Sequence, residues 1–262
     1  MPPKLPIIDG RAAGACKMLH ILTEDENFLA INKPSGVHSA LLGKYEESSI
    51  AQQLLDRDPS FHAASVSSRD AGLINRLDFE TSGILIAAKT RRYWDALTAL
   101  IKGGGISKSY LTLVQGKLEP ISSRVYIGSP YRRGKKVRVS PTPKTRFLEA
   151  FSAFEPLGYS AEDSATYVEA QVRTGRRHQI RAHLSFLGHP LIGDRLYRSE
   201  RLLHEISLLE NRHGYSLPQF FLHAFRASFQ DPANAGRKIE IEAPIPEPIA
   251  ALEQLRGQEL ST

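Results

Sequence analysis

Strand-like and helix-like segments alternate irregularly along this chain, and several of the strand-like segments come in adjacent pairs. "HILTEDENFLAINKPSG" reads as two short strands around an acidic turn at 24–27, ending in a Pro-Ser-Gly turn. Near the C-terminus "FFLHAFRASFQ" and "RKIEIEAP" both alternate with period two. Strands joined by so few residues pair antiparallel, because a parallel return needs a crossover of a dozen or more residues. "ILIAAK", "SKSYLTLVQGKL" and "TYVEAQVRT" are further strands, the second with Tyr110, Thr112 and Val114 on one face.

Three helical segments lie among them. "SSIAQQLLDRDP" carries Ile50, Leu54 and Leu55 on one face and stops before Pro59. Thr90 caps a second helix running to Lys102, with Trp94, Leu97, Leu100 and Ile101 as its buried stripe. Thr174 caps a third, with Ile180, Leu184 and Leu187 inside and Gly188 as its stop before Pro190. Such an order predicts an α+β fold with a mixed, mostly antiparallel central sheet flanked by helices and loops. No Pro/Gly-rich linker interrupts it. The expected organisation is a flexible N-terminal arm over 1–20 and a single domain over 21–262.

Charge narrows the partner. Lys plus Arg number 34 against 28 acids, a formal net charge of +6, which favours an anionic partner without choosing among nucleic acid, membrane and phosphorylated metabolite. Two stretches concentrate it. Residues 131–146, "YRRGKKVRVSPTPKTR", hold seven Lys or Arg and no acid, and "RTGRRHQIR" holds four arginines and a histidine. Clustered cations of this kind suit a phosphate backbone. No apolar run reaches the roughly 18 residues of a membrane span. Cys16 is the only cysteine, which excludes an internal disulfide and fits a reducing, cytoplasmic setting.

"INRLDFETSGILIAAK" places Asp78 at the lip of an apolar strand. A lone aspartate there can be a general base, a nucleophile, a metal ligand or a bonding partner for its own turn. No metalloprotease-like HxxxH pairing, no GxSxG elbow and no GxxxxGK phosphate loop accompanies it.

Five segments, in order, resemble the motifs of the RluA family of pseudouridine synthases. They are "INKPSG", "NRLDFETSGILIAAK", "SKSYLTLVQG", "RTGRRHQIRAHLSFLGHPLIGDRLY" and "FLHAFRASF", spanning roughly residues 20 to 247. The resemblance implies the pseudouridine synthase fold and an isomerase that needs neither metal nor organic cofactor. Its action would be to detach a uracil from its ribose within RNA, rotate it and rejoin it through C5. It implies Asp78 as catalytic nucleophile, by attack on the ring, on the sugar or by assisting a glycal. It implies Tyr110 stacked on the target base, Arg181 as the cation that keeps Asp78 ionised, and Ile180 packed behind the tyrosine. Arg76 would enter the space left by the flipped base, since a stacked base cannot be reached in place. Lys33, Arg176 and His178 are expected to contact phosphate or substrate.

Two positions depart from the motifs. Asn75 stands where the family usually has histidine, and Arg177 where it usually has a small or threonine-like residue. No S4-like RNA-binding module is expected, so the partner would be a structured RNA, an rRNA or tRNA stem-loop, gripped by a monomeric catalytic domain. The contrasting reading, a catalytically inactive RNA-binding or chaperone paralogue, suits the charge equally and differs in having no use for Asp78, Tyr110 and Arg181 together.

Overall fold

A computed structural model describes residues 19–42, 49–131, 134–161, 164–197 and 220–246. The arm expected over 1–20 lies outside the described residues up to residue 18. The described residues fall into two compact units: residues up to 109 together with 223–244, and residues 110–222 together with 245–246.

In the first unit β1 (Ile21–Glu24) and β2 (Phe28–Lys33) form the expected hairpin. The Asp25 carboxylate closes its turn by accepting from the Asn27 and Phe28 N–H groups at 2.8 and 3.0 Å. β2 pairs antiparallel with β3 (Ser82–Ala88), from Phe28–Ala88 to Lys33–Gly83. β3 in turn runs parallel to β9 (Leu222–Gln230) at Ser82–His223 and Gly83–Ala224. There the backbones approach so closely that a Cβ on Gly83 (φ +105°) would lie 2.2 Å from the Ala224 carbonyl oxygen, so glycine is required. β10 (Lys238–Glu242) completes this unit as the antiparallel partner of β9.

Two helices cover it. α1 (Ile50–Arg57) is capped by Ser49, whose hydroxyl accepts from Gln52 N–H, and buries Ile50, Ala51 and Leu54. α2 (Arg91–Lys102) is capped by Thr90 as expected, but its deepest residues are Tyr93 and Leu97. The stripe is therefore rotated by one residue. Tyr93 can take the inner position because its ring stacks on Phe28 (centroids 6.1 Å) and its hydroxyl donates to Asp231 at 2.9 Å. Trp94 stays half-buried, with its indole N–H on the Leu73 carbonyl.

The second unit orders its strands β4 (Ile106–Gln115, from Tyr110 onward), β8 (Ala165–Val172), β7 (Phe147–Ser160), β5 (Ile121–Gly128) and β6 (Arg138–Ser140). β5–β6, β5–β7 and β7–β8 are antiparallel. β4 is buried on both faces, with Tyr110, Leu111, Thr112 and Val114 all inside. α3 (Gln179–Phe186) packs Ala182 into a core of Val125, Ile127, Val137, Ala150 and Tyr197. This helix begins five residues after Thr174 (179 − 174 = 5). The Thr174 hydroxyl is occupied elsewhere, donating to Gln179 Oε1 at 2.9 Å and accepting from Phe151 N–H at 3.2 Å. The fold is α+β on a mixed, mostly antiparallel sheet, and no described helix is long and apolar enough to cross a membrane.

Candidate active site

In the first unit residues 74–82 are tied down along their whole length. Ile74 N–H donates to the Ile86 carbonyl at 2.9 Å. The Asn75 amide then pairs with β3 much as a backbone would: Oδ1 accepts from Ile86 N–H at 3.1 Å and Nδ2 donates to the Ile84 carbonyl at 3.3 Å. The buried Ser39 hydroxyl accepts from Leu77 N–H at 3.0 Å and donates to the Leu77 carbonyl at 2.9 Å. A turn follows, closed by Thr81 N–H on the Asp78 carbonyl at 3.1 Å. It hangs on the Lys-Pro-Ser-Gly turn after β2: Gly36 N–H donates to the Phe79 carbonyl at 2.9 Å and the Ser35 hydroxyl to the Glu80 carbonyl at 2.7 Å. Ser82 continues into β3 with its hydroxyl 2.8 Å from His223 Nδ1. The half-buried Asp78 thus sits on backbone with little freedom to move.

Lys33 holds the same junction from beneath. It is 0% exposed, and its Nζ donates to the carbonyls of Val37 (2.7 Å), Pro34 (2.9 Å) and Phe79 (3.1 Å). Burial pushes its ammonium down from 10.5 to about 7, while the carboxylates of Asp78 and Glu80 oppose that shift. Lys33, expected to contact phosphate or substrate, is held here on three backbone carbonyls. Lys33 joins the strand end to the Asp78 turn. Arg76, two residues before Asp78, is exposed.

The second unit carries the other five predicted residues. Arg181 is 6% exposed on α3 and forms a bidentate pair with the fully buried Asp194, Nε to Oδ2 at 2.6 Å and Nη2 to Oδ1 at 3.0 Å. Asp194 is itself fixed by the N–H groups of Leu196 and Tyr197. The guanidinium also lies 4.3 Å from the Phe220 ring centre and 5.3 Å from that of Tyr197. Tyr110 and Ile180 are buried.

His178 adopts the left-handed conformation (φ 52°) just before α3, with Nδ1 2.9 Å from the Tyr197 hydroxyl. Gln179 stitches this loop to β7. Its amide nitrogen, Nε2, donates to the Phe151 carbonyl and the Ser152 hydroxyl, and its Oε1 accepts from Arg176 N–H. Arg176 spends Nε on the Glu149 carbonyl at 2.8 Å, and Arg177 reaches the Gly134 carbonyl at 2.7 Å, inside the first basic stretch. His183, next on the inner side of α3, stands edge-on to Phe154 at 5.3 Å, and burial lowers it to about 4.

Sequence reasoning did not single out Ser39, Gln179 or Asp194. Asp194 lies in the Gly-Asp of a motif already quoted, but nothing in its neighbours says which cation it meets.

Against known proteins, the RNA pseudouridylate synthase family model matches residues 27–186. An uncharacterized RNA pseudouridine synthase of Bacillus subtilis (strain 168) is 31% identical over 89% of this chain and 75% of its own. Ribosomal large subunit pseudouridine synthase C of Pasteurella multocida (strain Pm70) is 32% identical over 92% and 69%. Ribosomal large subunit pseudouridine synthase D of Zymomonas mobilis is 30% identical over 89% and 71%. The solved structure of human RNA pseudouridylate synthase domain containing 1 superposes with a TM-score of 0.65 at 23% identity, covering 88% of this chain and 84% of its own, a likeness of fold.

Proposed function

This chain belongs to the RluA family of RNA pseudouridine synthases, isomerases that act on RNA, and we propose that it converts specific uridines in structured RNA to pseudouridine with Asp78 as nucleophile. Ribosomal RNA is the first candidate substrate, since two of the relatives above are named for the large ribosomal subunit. A tRNA stem-loop is the second. Residues 21–262 act as one catalytic domain in this reading.

The Asp78 turn carries it. A nucleophile gains most when its backbone is fixed before substrate arrives, because a small misplacement at the reacting atom is costly. Ser39, Asn75, Gly36 and Lys33 supply that fixation here. The target uridine is flipped from its stack, at a cost of about a few kcal/mol, and Arg76 takes its space. Asp78 assists cleavage of the N1–C1′ bond, the uracil turns on Tyr110, and C5 bonds to C1′. The C5 proton leaves and N1 gains one, so composition is unchanged. Arg181 serves as the cation that keeps the Asp78 carboxylate charged. Arg176 and His178 orient the RNA strand, with Ile180 behind Tyr110.

The test is release of tritium from RNA carrying 5-tritiated uridine, with rRNA transcripts and total tRNA assayed separately. Wild-type protein releases tritium. Asp78→Asn drops the rate by at least about 10⁴-fold, the scale of losing a nucleophile, while RNA binding persists. Retained release in Asp78→Asn refutes the assignment.

A further inference from the structure

Phe79 directly follows Asp78, and its ring is 40% exposed. Single exposed apolar side chains are ordinary, so exposure alone means little. Phe79 differs from Leu42 or Val66, which are also exposed, in how its backbone is held. Its carbonyl accepts two hydrogen bonds, from Gly36 N–H and Lys33 Nζ, and its neighbour Glu80 is tied to Ser35. The ring is therefore presented from a fixed point. Behind it stands His38, ring centroids 4.5 Å apart at 44°. Burial, and after it the Lys33 ammonium, lowers the His38 ring from its ordinary value against the opposing Glu80 carboxylate, which favours the neutral ring. Arg76, three residues before Phe79, is exposed.

We propose that Phe79, backed by His38, is a stacking platform for an unpaired RNA base adjacent to the uridine that Asp78 attacks. This rests on the reading above and extends it. Flipping one nucleotide strips its neighbour of a stacking partner. An aromatic ring fixed beside the nucleophile restores one, and every base has a face that can stack on it. The platform thus offsets part of the flipping cost and selects targets whose neighbour lies in a loop or bulge rather than a continuous helix. Tyr110 is reserved for the target base itself.

The experiment compares wild type, Phe79→Leu and Phe79→Trp on rRNA transcripts and total tRNA. Filter-binding Kd is measured across a salt series and KM and kcat by tritium release. Leucine keeps the apolar contact with His38 but removes the stacking face. The platform predicts Kd and KM about tenfold or more higher in Phe79→Leu, kcat within about twofold, and wild-type values in Phe79→Trp. Stacking releases no counterions, so the slope of log Kd against log salt stays that of wild type. Wild-type Kd in Phe79→Leu, or failure of Phe79→Trp to match wild type, overturns the platform. If wild type releases no tritium from either RNA, the isomerase reading falls, while the binding series still decides on Phe79.

Discussion

Each unit buries a cation, Lys33 or Arg181, among its share of the predicted set, and the two are held by opposite means. Lys33 meets three peptide carbonyls. Arg181 meets the Asp194 carboxylate in a bidentate pair. The side chains explain the difference. An ammonium can shed its proton when buried, so dipoles suffice for it. A guanidinium cannot, and must have its counter-charge with it. The hold on the Asp78 turn is thus spread over many hydrogen bonds to the backbone, whereas the hold on Arg181 includes a buried bidentate ion pair. Concentrated support fails all at once; distributed support fails by degrees.

The largest effect follows from breaking the concentrated side. Asp194→Ala removes the bidentate partner of the buried Arg181, and should destabilise the protein by about 3–5 kcal/mol. Urea unfolding reads this directly. Replacing both members by apolar residues of similar size recovers most of the loss, because it is the buried charge that costs. An unchanged urea midpoint in Asp194→Ala means that Arg181 is not anchored by this pair.

The distributed side should show a pH signature instead. The Lys33 ammonium titrates at about 7 when folded against 10.5 as its ordinary value. Between those pH values the unfolded chain holds the proton and the folded chain has released it, so the unfolded state binds more protons and stability rises with pH. One proton limits the rise to about 1.4 kcal/mol per pH unit. Lys33→Met lacks it. The difference between the two proteins across pH 7 to 10.5 isolates Lys33 from other titrating groups, and parallel curves would show that Lys33 stays charged on its carbonyls throughout. The same substitution loosens the Asp78 turn and should cut tritium release up to about 100-fold.

The contrast also marks what was legible in the sequence. Local patterns carried over well: the hairpin of β1 and β2, helix α1 stopping before Pro59, α2 with its Thr90 cap, and the alternating β9 and β10. β7 went unread because Pro156 and Gly158 interrupt its alternation, where the structure has a bulge. The start of α3 was misplaced because Thr174 looks like a cap, while Gln179 and a left-handed His178 build a loop there. The identities of Asp78, Tyr110 and Arg181 came from motif order. Their supports did not, because periodicity and caps do not say that a lysine turns onto three carbonyls or which cation an aspartate meets, even when most of the partners lie within 13 residues.

Asn75 gives the finest test of distributed support. Its amide contributes two hydrogen bonds in a set that also includes Ser39, Gly36, Ser35 and Lys33. Removing it with Asn75→Ala should cost only about 1 kcal/mol of stability. The turn it orients carries the nucleophile, so kcat should fall about tenfold with KM unchanged, the mark of an interaction that counts only at the reacting atom. Asn75→His restores the family's usual residue. An imidazole can serve the Ile86 N–H or the Ile84 carbonyl, but its geometry does not match both as an amide does. Its kcat should lie between those of wild type and Asn75→Ala. A wild-type kcat in Asn75→Ala would mean that the remaining bonds hold Asp78 unaided, and the support would then be not merely distributed but redundant.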